Sequence, residues 1–258
     1  MSLFDHHVHT ERSDGRLSLE DRARSVAVRP HGVSDHFPWR EKMSDDDDVL
    51  RYLDDAARLG LRVGLEYDVG VAPPLRASTR GALHYVIGAV HQLEIDDVWL
   101  SFSDAGQFMK GQRGPVFVQA QQFAAPDLQR KILERMLVVV RQGIQEVGID
   151  IVGHPTFLPL TALGEPEEML PVEWQERLID LCVSSGVAIE VNESYRVPHK
   201  EFLVRARERG ALFSVGTDSH GEIGPLDRTE AMIREADLPQ DRFLRGERVR
   251  QRSTARSS

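Results

Sequence analysis

Amphipathic helical segments alternate with short apolar segments along most of the 258-residue chain. Four times a polar helix, a glycine and an apolar strand follow one another, as in CVSSG-VAIEVNE. Each of these glycines stands where the C-terminus of a helix requires a left-handed residue. The four glycines are Gly60, Gly148, Gly186 and Gly210. Strands that alternate with helices in this way predict a parallel sheet with helical crossovers.

Seven segments have the length and the apolar content of strands. They are Leu3–His9, Gly32–His36, Arg62–Asp68, His84–His91, Ile149–His154, Ala188–Asn192 and Leu212–Asp218. An open doubly wound sheet usually places one ligand site at a single switch point. Here nearly every strand ends in a potential metal ligand, which favours a closed barrel whose strand ends converge on one mouth. The pattern therefore predicts an α/β barrel of seven strands.

The alternation extends over residues 1–245 without a linker, and it predicts a single domain. Residues 92–125 interrupt it with several glycines and a proline, so we expect a long excursion over the mouth of the barrel, in the position of a lid. Residues 246–258 are polar and basic, and we expect a disordered tail there. The acidic run Asp45–Asp48 suits the first turn of a helix, with Ser44 as its cap.

Composition and charge narrow the classes of function. The formal net charge of −9 argues against long nucleic acid as a partner, because such a partner requires a basic face. The charge is still compatible with a small anionic substrate, since bound metal ions would reverse the local charge. The chain has no apolar run of about 18 residues and no signal-peptide pattern, so we expect no membrane span. The single cysteine, Cys182, is compatible with the cytoplasm, and its helical context predicts a buried hydrophobe rather than a nucleophile.

The first predicted strand carries the sequence DHHVHT. Alternation along a strand places Asp5, His7 and His9 on one face and His6 on the other. Two imidazoles at this spacing can bind one cation, and Asp5 can orient one of the two rings. A His-x-His pair alone is weak evidence, because two exposed or hydrogen-bonded histidines would give the same pattern.

Five further strands end in a similar way, and together they make the signal strong. The additional candidate ligands are His36, Glu66, His91, His154, Asp218 and His220. Taken singly, Asp35 or Asp218 would also suit a helix cap, and His91 or His154 a core histidine. Capping does not favour histidine, however, and so does not explain the set. With His7 and His9 the set contains eight ligands, more than one ion can bind, so at least two metal ions are implied. Nitrogen and oxygen donors favour zinc, iron or manganese, and a cluster of such ions is suited to hydrolysis.

With these residues the chain resembles the polymerase and histidinol phosphatase (PHP) family. The matching motifs are DHHVHT, SDH, GLEYD, VIGAVH, DIVGHP and GTDSH, which occur in the order of the family between residues 5 and 220. The segment IEVNESYRVPHKEF further resembles the histidinol-phosphatase branch. The resemblance implies a distorted seven-stranded (β/α)7 TIM-like barrel with two or three divalent metal ions, and phosphoester hydrolysis as the activity.

The resemblance also implies which residues hold each ion. The first ion would be held by His7, His9, Glu66 and Asp218, and the second by Glu66 as a bridge with His91 and His154. The third would be held by His36 and His220, with Asp14 in place of a histidine that many members carry after the first motif. Glu66, Asp218 and Arg196 would take part in catalysis, Arg196 by binding the phosphoryl group of a small phosphorylated substrate.

The resemblance implies L-histidinol phosphate as the leading substrate and histidine biosynthesis as the context. A second arginine found after the fifth motif in some histidinol phosphatases is replaced here by the apolar segment TFLPLTALG. Two alternatives stay open. One is hydrolysis of another phosphorylated metabolite or a short oligonucleotide, with Lys110, Arg113 and Arg196 as a basic mouth. The other is a non-catalytic metal-binding regulatory module.

Overall fold

A six-stranded parallel sheet forms the centre of the protein in the computed structural model, which describes residues 3–102 and 125–246. The strands are β1 (Val33–Phe37), β2 (Val63–Asp68), β3 (Tyr85–Ala89), β6 (Ile151–Val152), β7 (Ala188–Asn192) and β8 (Leu212–Gly216). They neighbour one another in the order β1-β2-β3-β6-β7-β8. An antiparallel hairpin of β4 (Gln92–Ile95) and β5 (Val98–Ser101) follows β3 outside this sheet. The α/β class and the parallel sheet are therefore confirmed.

Helices connect the strands of the sheet. They are α1 (Leu19–Ser25), α2 (Asp46–Arg58), α3 (Ala77–Ala82), α4 (Pro126–Gln142), α5 (Pro166–Met169), α6 (Val172–Ser185), α7 (Lys200–Glu208) and α8 (Asp227–Glu235). Short 3-10 turns cover Arg40–Lys42, Pro159–Ala162 and Gln240–Arg242, and a π-helical turn, Gly143–Val147, extends α4. The four junction glycines have φ between 67° and 83°, so their predicted left-handed conformation is confirmed.

The core lies on both faces of the sheet. Helix α2 buries Val49, Tyr52, Leu53 and Ala56, the spacing of one helical face. A second, smaller apolar cluster contains Ile87 on the opposite face of its strand from Val86, which packs in the main core. Burial on both faces explains why these strands are continuous apolar runs rather than alternating ones.

The segment predicted as the first strand, Leu3–His9, makes only isolated bridges, so the predicted count of seven strands is wrong. Its backbone hydrogen bonds alternate between two neighbours. Asp5 N–H donates to the carbonyl of Pro30 at 3.1 Å, whereas His6 N–H donates to the carbonyl of Val215 at 2.9 Å. On the β8 side the bridges are Asp5–Val215 and Val8–Ser219, and the register shifts by one residue between them, so no continuous ladder forms. The segment thus lies between the two edge strands of the sheet, β1 and β8.

Two local predictions have different outcomes. Asp45, not Ser44, caps α2, because its carboxylate accepts the N–H groups of Asp47 at 2.9 Å and Asp48 at 3.0 Å. Ser44 instead donates its N–H and hydroxyl to Asp48. Cys182 is fully buried in α6, and burial raises the pKa of its thiol to about 12, as expected of a packed residue without a reactive thiolate.

Part of the predicted lid and nearly all of the predicted tail lie outside the described residues. Of residues 92–125, the structure describes the β4–β5 hairpin and its immediate neighbours, and Lys110 and Arg113 fall outside it. Of residues 246–258, only Gly246 is described. No helix within the described ranges has the length and apolar content needed to cross a membrane.

Candidate metal centre

All nine residues predicted as metal ligands lie together at the carboxyl end of the sheet. Their donor atoms form four groups, and within each group these atoms lie within 4.8 Å of one another. The groups are His9, Asp14, His36 and His220; His7, Glu66 and His154; His7, His9 and Asp218; and His36, Glu66 and His91. Parallel strands bring their carboxyl ends to one edge, and this explains why residues from positions 7 to 220 meet. The structure therefore assembles the predicted set in one place.

The Glu66 carboxylate stands at the centre of the cluster. Five imidazole nitrogens lie between 2.8 and 3.4 Å from its two oxygens. The five rings are those of His7, His9, His36, His91 and His154. Two of these rings face Oε1 and three face Oε2, so each oxygen belongs to a different set of donors. A carboxylate in this position can bridge two ions.

The spacing and the bonding state of these atoms fit a bound cation. Donors about 2.1 Å from a tetrahedral or octahedral ion lie about 3 to 3.4 Å from one another, the separation found around Glu66. His7 Nε2 and Glu66 Oε2 are buried 3.2 Å apart, yet neither makes a hydrogen bond of acceptable geometry to any described residue. Buried polar atoms are rarely left without a partner. A shared metal ion would satisfy both.

The charge of the cluster also favours a bound cation. Burial lowers the pKa of His36, but the neighbouring carboxylates of Glu66 and Asp14 outweigh it and raise the pKa to about 10. Burial likewise opposes charge on His91, whereas Glu66 and Asp68 raise its pKa to about 9. The pKa of the Glu66 carboxyl is held well below its usual range despite burial, because protonated His36 and His7 stabilise the carboxylate. This concentration of negative charge favours cations, and metal ions would compete with protons for the same nitrogens.

The cluster has a buried side and an open side. His7 and His9 are fully buried, whereas the side chains of Asp14 and His220 are 32% and 36% exposed. Asp14 Oδ2 lies 3.1 Å from His220 Nε2, and Asp14 Oδ1 lies 3.6 Å from His36 Nε2. Asp14 thus lies beside both histidines, and its role as a ligand stays a prediction.

Glu190 is a functional candidate that the sequence reasoning missed. One of its oxygens lies 2.6 Å from His7 Nδ1, and the other accepts the backbone N–H of His154 at 2.6 Å and the Asn192 amide at 3.1 Å. A carboxylate on Nδ1 fixes the tautomer that leaves His7 Nε2 free to bind a metal. The two signals available in the sequence were an acid in the middle of the apolar strand AIEVN and the glycine at position 216. A Cβ at Gly216 would overlap the Glu190 carboxylate, so the neighbouring strand makes room for it.

Two further buried carboxylates hold the backbone near the ligands. Asp5 Oδ1 accepts the N–H groups of His7 at 3.1 Å and Thr217 at 3.0 Å, so its predicted role in orienting an imidazole ring is wrong. Its carboxylate bonds the backbone instead, and Glu190 orients the ring. Asp35 accepts the N–H of Thr10 and the hydroxyl of Ser13, at 2.7 and 2.6 Å. Its alternative role as a helix cap is therefore also wrong.

Backbone strain coincides with the cluster. His154 has φ 27° and Asp218 has φ 54°, both in the left-handed region that residues other than glycine rarely adopt. Such conformations persist only where the surrounding structure holds them, and they concentrate at functional sites. Here Glu190 bonds His154 N–H, and the carbonyl of His7 accepts Asp218 N–H at 2.8 Å.

Aromatic side chains stand beside the imidazoles. Trp39 stacks on His36 with 5.3 Å between ring centroids, and Tyr195 stacks on Phe157 at 4.0 Å. Tyr195 also meets His154 edge-on at 5.4 Å, and 41% of its surface is exposed. These rings offer planar apolar surface next to the cluster.

Arg196 is the predicted site residue that the structure does not bring into the cluster. Its side chain is exposed and lines a cavity with residues of α7 and α8, and that lining contains none of the nine candidate ligands. The neighbouring residue in the loop, Tyr195, does contact a candidate ligand, His154. The role of Arg196 in binding phosphate stays a prediction.

Fold and site together define a parallel α/β protein with a buried histidine–carboxylate cluster at the carboxyl end of its sheet. The fold is similar to that of histidinol phosphate phosphatase from Lactococcus lactis, whose crystal structure contains zinc, L-histidinol and phosphate. The match has a TM-score of 0.56 and 14% sequence identity, and it covers 92% of this chain and 95% of the other. This likeness establishes the fold.

A second solved structure, a proposed metal-dependent phosphoesterase from Bifidobacterium adolescentis, matches with 13% identity over 91% of this chain and 96% of the other. Its TM-score of 0.35 is too low to support an argument. No protein-family model and no curated protein matches the chain.

Proposed function

We propose that the protein is a metal-dependent phosphoesterase of the PHP type, acting in the cytoplasm on a phosphomonoester, with L-histidinol phosphate as the leading substrate. The observation that carries this proposal is the cluster of nine donors around Glu66. Support comes from the fold, which is shared over most of its length with a histidinol phosphate phosphatase.

We also propose that the sheet closes into a distorted barrel. Gly32 N–H donates to the carbonyl of Asp5 at 2.9 Å, and His9 N–H donates to the carbonyl of Ser219 at 3.0 Å. Residues 3–9 therefore bond to chain segments beside both edges of the sheet, and we treat them as the element that closes a distorted barrel. Closure would bring β1 and β8 to one mouth, where their ligands converge.

The donor set assigns residues to two or three divalent ions. One would be held by His7, His9 and Asp218 and a second by His91 and His154, with Glu66 shared between them. His36 and His220 with Asp14 would hold a third. Nitrogen and oxygen donors without cysteine fit zinc, iron or manganese. Such ions supply a water of lowered pKa and positive charge for the phosphoryl oxygens.

The chain itself would orient the ligands and position the substrate. Glu190 holds the His7 ring in the tautomer that presents Nε2. Trp39 and Tyr195 stand where a planar ring in the leaving group would pack, and the imidazole of histidinol phosphate is such a ring. A nucleobase would also fit this description, so a short nucleotide is the second candidate. Arg196 would reach the phosphoryl group from the loop that follows β7.

Phosphate release tests the proposal. The purified protein, analysed for bound metals, is assayed with L-histidinol phosphate, a sugar phosphate, phenyl phosphate and a dinucleotide. We expect turnover that chelation abolishes and a divalent metal restores, with a preference for the substrate that carries a planar ring. Turnover of other esters with little of histidinol phosphate would keep the metal centre and reassign the substrate.

Two variants separate catalysis from a structural metal site. His9→Ala and Asp218→Ala should lose metal and activity, while Asp54→Ala on the exposed face of α2 should keep both. A wild-type protein with metals present and no turnover on any ester would instead favour the non-catalytic regulatory module. Normal metal content in both cluster variants would refute the ligand assignment.

A further inference from the structure

The loop that carries Asp14 is bonded to the short turn that follows β1. Lys42 is the last residue of this turn, and its Nζ donates to the carbonyl of Glu11 at 2.9 Å and to the carbonyl of Ser13 at 2.8 Å. The Ser13 carbonyl belongs to the peptide unit that leads into Asp14. Because a peptide unit is planar, a bond to this carbonyl fixes the backbone directly before the Asp14 side chain.

The ammonium group of Lys42 bonds carbonyls where a surface lysine more often pairs with a carboxylate. Among the side chains that the structure describes, no carboxylate lies within ion-pair distance of it. Lys131, by contrast, lies 2.6 Å from Asp96 and 3.3 Å from Asp127. Hydrogen bonds from a charged donor are shorter and stronger than neutral ones. Lys42 therefore acts on the loop through two strong bonds to its backbone.

Other bonds hold the two ends of the loop and leave its exposed middle to Lys42. At the first end, the N–H of Thr10 donates to the buried carboxylate of Asp35 at 2.7 Å. At the other end, Arg16 N–H donates to the carbonyl of His220 at 2.7 Å. The two carbonyls in the middle of the loop accept a hydrogen bond from Lys42 and from no other described residue. Loss of Lys42 would release them to water.

The position of the Asp14 carboxylate depends on this backbone. Its side chain is 32% exposed, so packing contributes little to holding it. Its two oxygens lie 3.1 Å from His220 Nε2 and 3.6 Å from His36 Nε2, on the open side of the cluster. A metal ion accepts donors only within a narrow range of distances, so a small shift of the loop would move Asp14 out of reach.

We infer that Lys42 is a positioning residue for the metal ion that the proposed function assigns to Asp14, His36 and His220. The inference rests on that proposed function for the presence of the ion. Residues that orient metal ligands typically change metal affinity 10- to 100-fold when they are replaced. The sign of the effect separates positioning from charge. By charge alone, removal of the Lys42 ammonium would strengthen cation binding, whereas loss of positioning weakens it.

Zinc titration of the chelated protein against a chromophoric chelator, with the bound ions counted, tests the inference. The ion concerned is identified as the one whose binding Asp14→Asn weakens. Lys42→Met should lower the affinity for this ion about 10-fold and leave the other ions unchanged. Lys42→Arg should keep most of the affinity, because a guanidinium can donate to both carbonyls. Arg40→Gln removes a positive charge from the same turn, where Arg40 is exposed, and should bind zinc as the wild type does.

A double variant shows whether Lys42 acts through Asp14. In the Asp14→Asn background, Lys42→Met should cause no further loss of affinity, because the residue that it positions is already gone. A further loss as large as in the wild-type background would overturn the inference, and so would unchanged or tighter zinc binding by Lys42→Met alone. A wild type that binds no metal would refute the proposed function as well. A wild type that binds its metals normally, with Lys42→Met equal to it, would refute this inference alone.

Discussion

Replacing Glu190 by glutamine is the sharpest perturbation that the site offers. The side chain keeps its volume, so the tight space beside Gly216 is unaffected. In the wild type the Glu190 carboxylate accepts all three of its hydrogen bonds, from His7 Nδ1, the His154 N–H and the Asn192 amide. Glutamine introduces an NH₂ group into this ring of donors.

Neither orientation of the glutamine amide restores the wild-type arrangement. If the NH₂ group faces His7 Nδ1, this nitrogen must accept, the proton moves to Nε2, and Nε2 no longer binds a metal. If the NH₂ group takes the other position, it meets the N–H of His154 at a site where the wild-type distance is 2.6 Å. Both outcomes, together with the loss of one negative charge, weaken cation binding, so the sign of the effect follows from the geometry.

The expected magnitude is a 10- to 100-fold loss of metal affinity, which corresponds to about 1.4 to 2.7 kcal/mol. The assay is competition between the protein and a chromophoric chelator of known zinc affinity, with zinc content measured at each point. Glu94→Gln makes the same chemical change at an exposed position of the β4–β5 hairpin and should bind zinc normally. Circular dichroism of both variants confirms that the fold is retained.

Zinc binding by Glu190→Gln with wild-type affinity and stoichiometry would refute the argument. It would mean that His7 is held in place by packing alone, or that His7 is not a ligand. A parallel loss of affinity in Glu94→Gln would show that the assay reports net charge rather than the hydrogen bond at His7.

Three further predictions concern other parts of the site. Asp14→Asn should bind about one metal ion fewer per chain, because Asp14 lies 3.1 Å from His220 on the open side of the cluster, and unchanged metal content by elemental analysis would contradict its role as a ligand. Arg22→Lys should lower the free energy of unfolding, measured in urea, by about 1.5 to 3 kcal/mol, because the buried guanidinium donates twice to the carbonyl of His9. An unchanged free energy would show that the lysine ammonium substitutes for the guanidinium. Arg196→Ala should keep its metals and raise the Michaelis constant for phosphomonoesters, and an unchanged constant would remove Arg196 from the substrate site.

The sequence predicted which candidate ligands would lie close together because the relevant rules are local. Strand alternation separates His7 and His9 from His6, and His6 indeed packs between the rings of Phe4 and Tyr85, at 4.8 and 5.1 Å. The carboxyl ends of parallel strands meet at one edge, so candidate ligands far apart in the chain were expected together. Neither inference required knowledge of a tertiary contact in advance.

The strand count failed for a tertiary reason. Residues 3–9 have the composition of a strand, but whether they form a ladder depends on the partners on each side. In the protein the register with the chain at β8 shifts by one residue between the bridges Asp5–Val215 and Val8–Ser219, which interrupts the ladder. The Ser44 prediction failed for a local reason, since a serine and an aspartate next to each other are both good caps and sequence alone does not choose between them.

Three buried carboxylates whose role the sequence did not predict have a common one. Asp5, Asp35 and Glu190 are each fully buried, and each accepts the backbone N–H of a residue that is a candidate ligand or lies next to one. An unpaired buried carboxylate costs several kcal/mol, so these bonds are a condition of burying the charge at all. The same bonds hold the strained backbone of His154 and fix the neighbourhood of His7. Metal affinity should therefore depend on this outer layer nearly as much as on the donors themselves, and charge-neutral replacements there should lower affinity without removing a ligand.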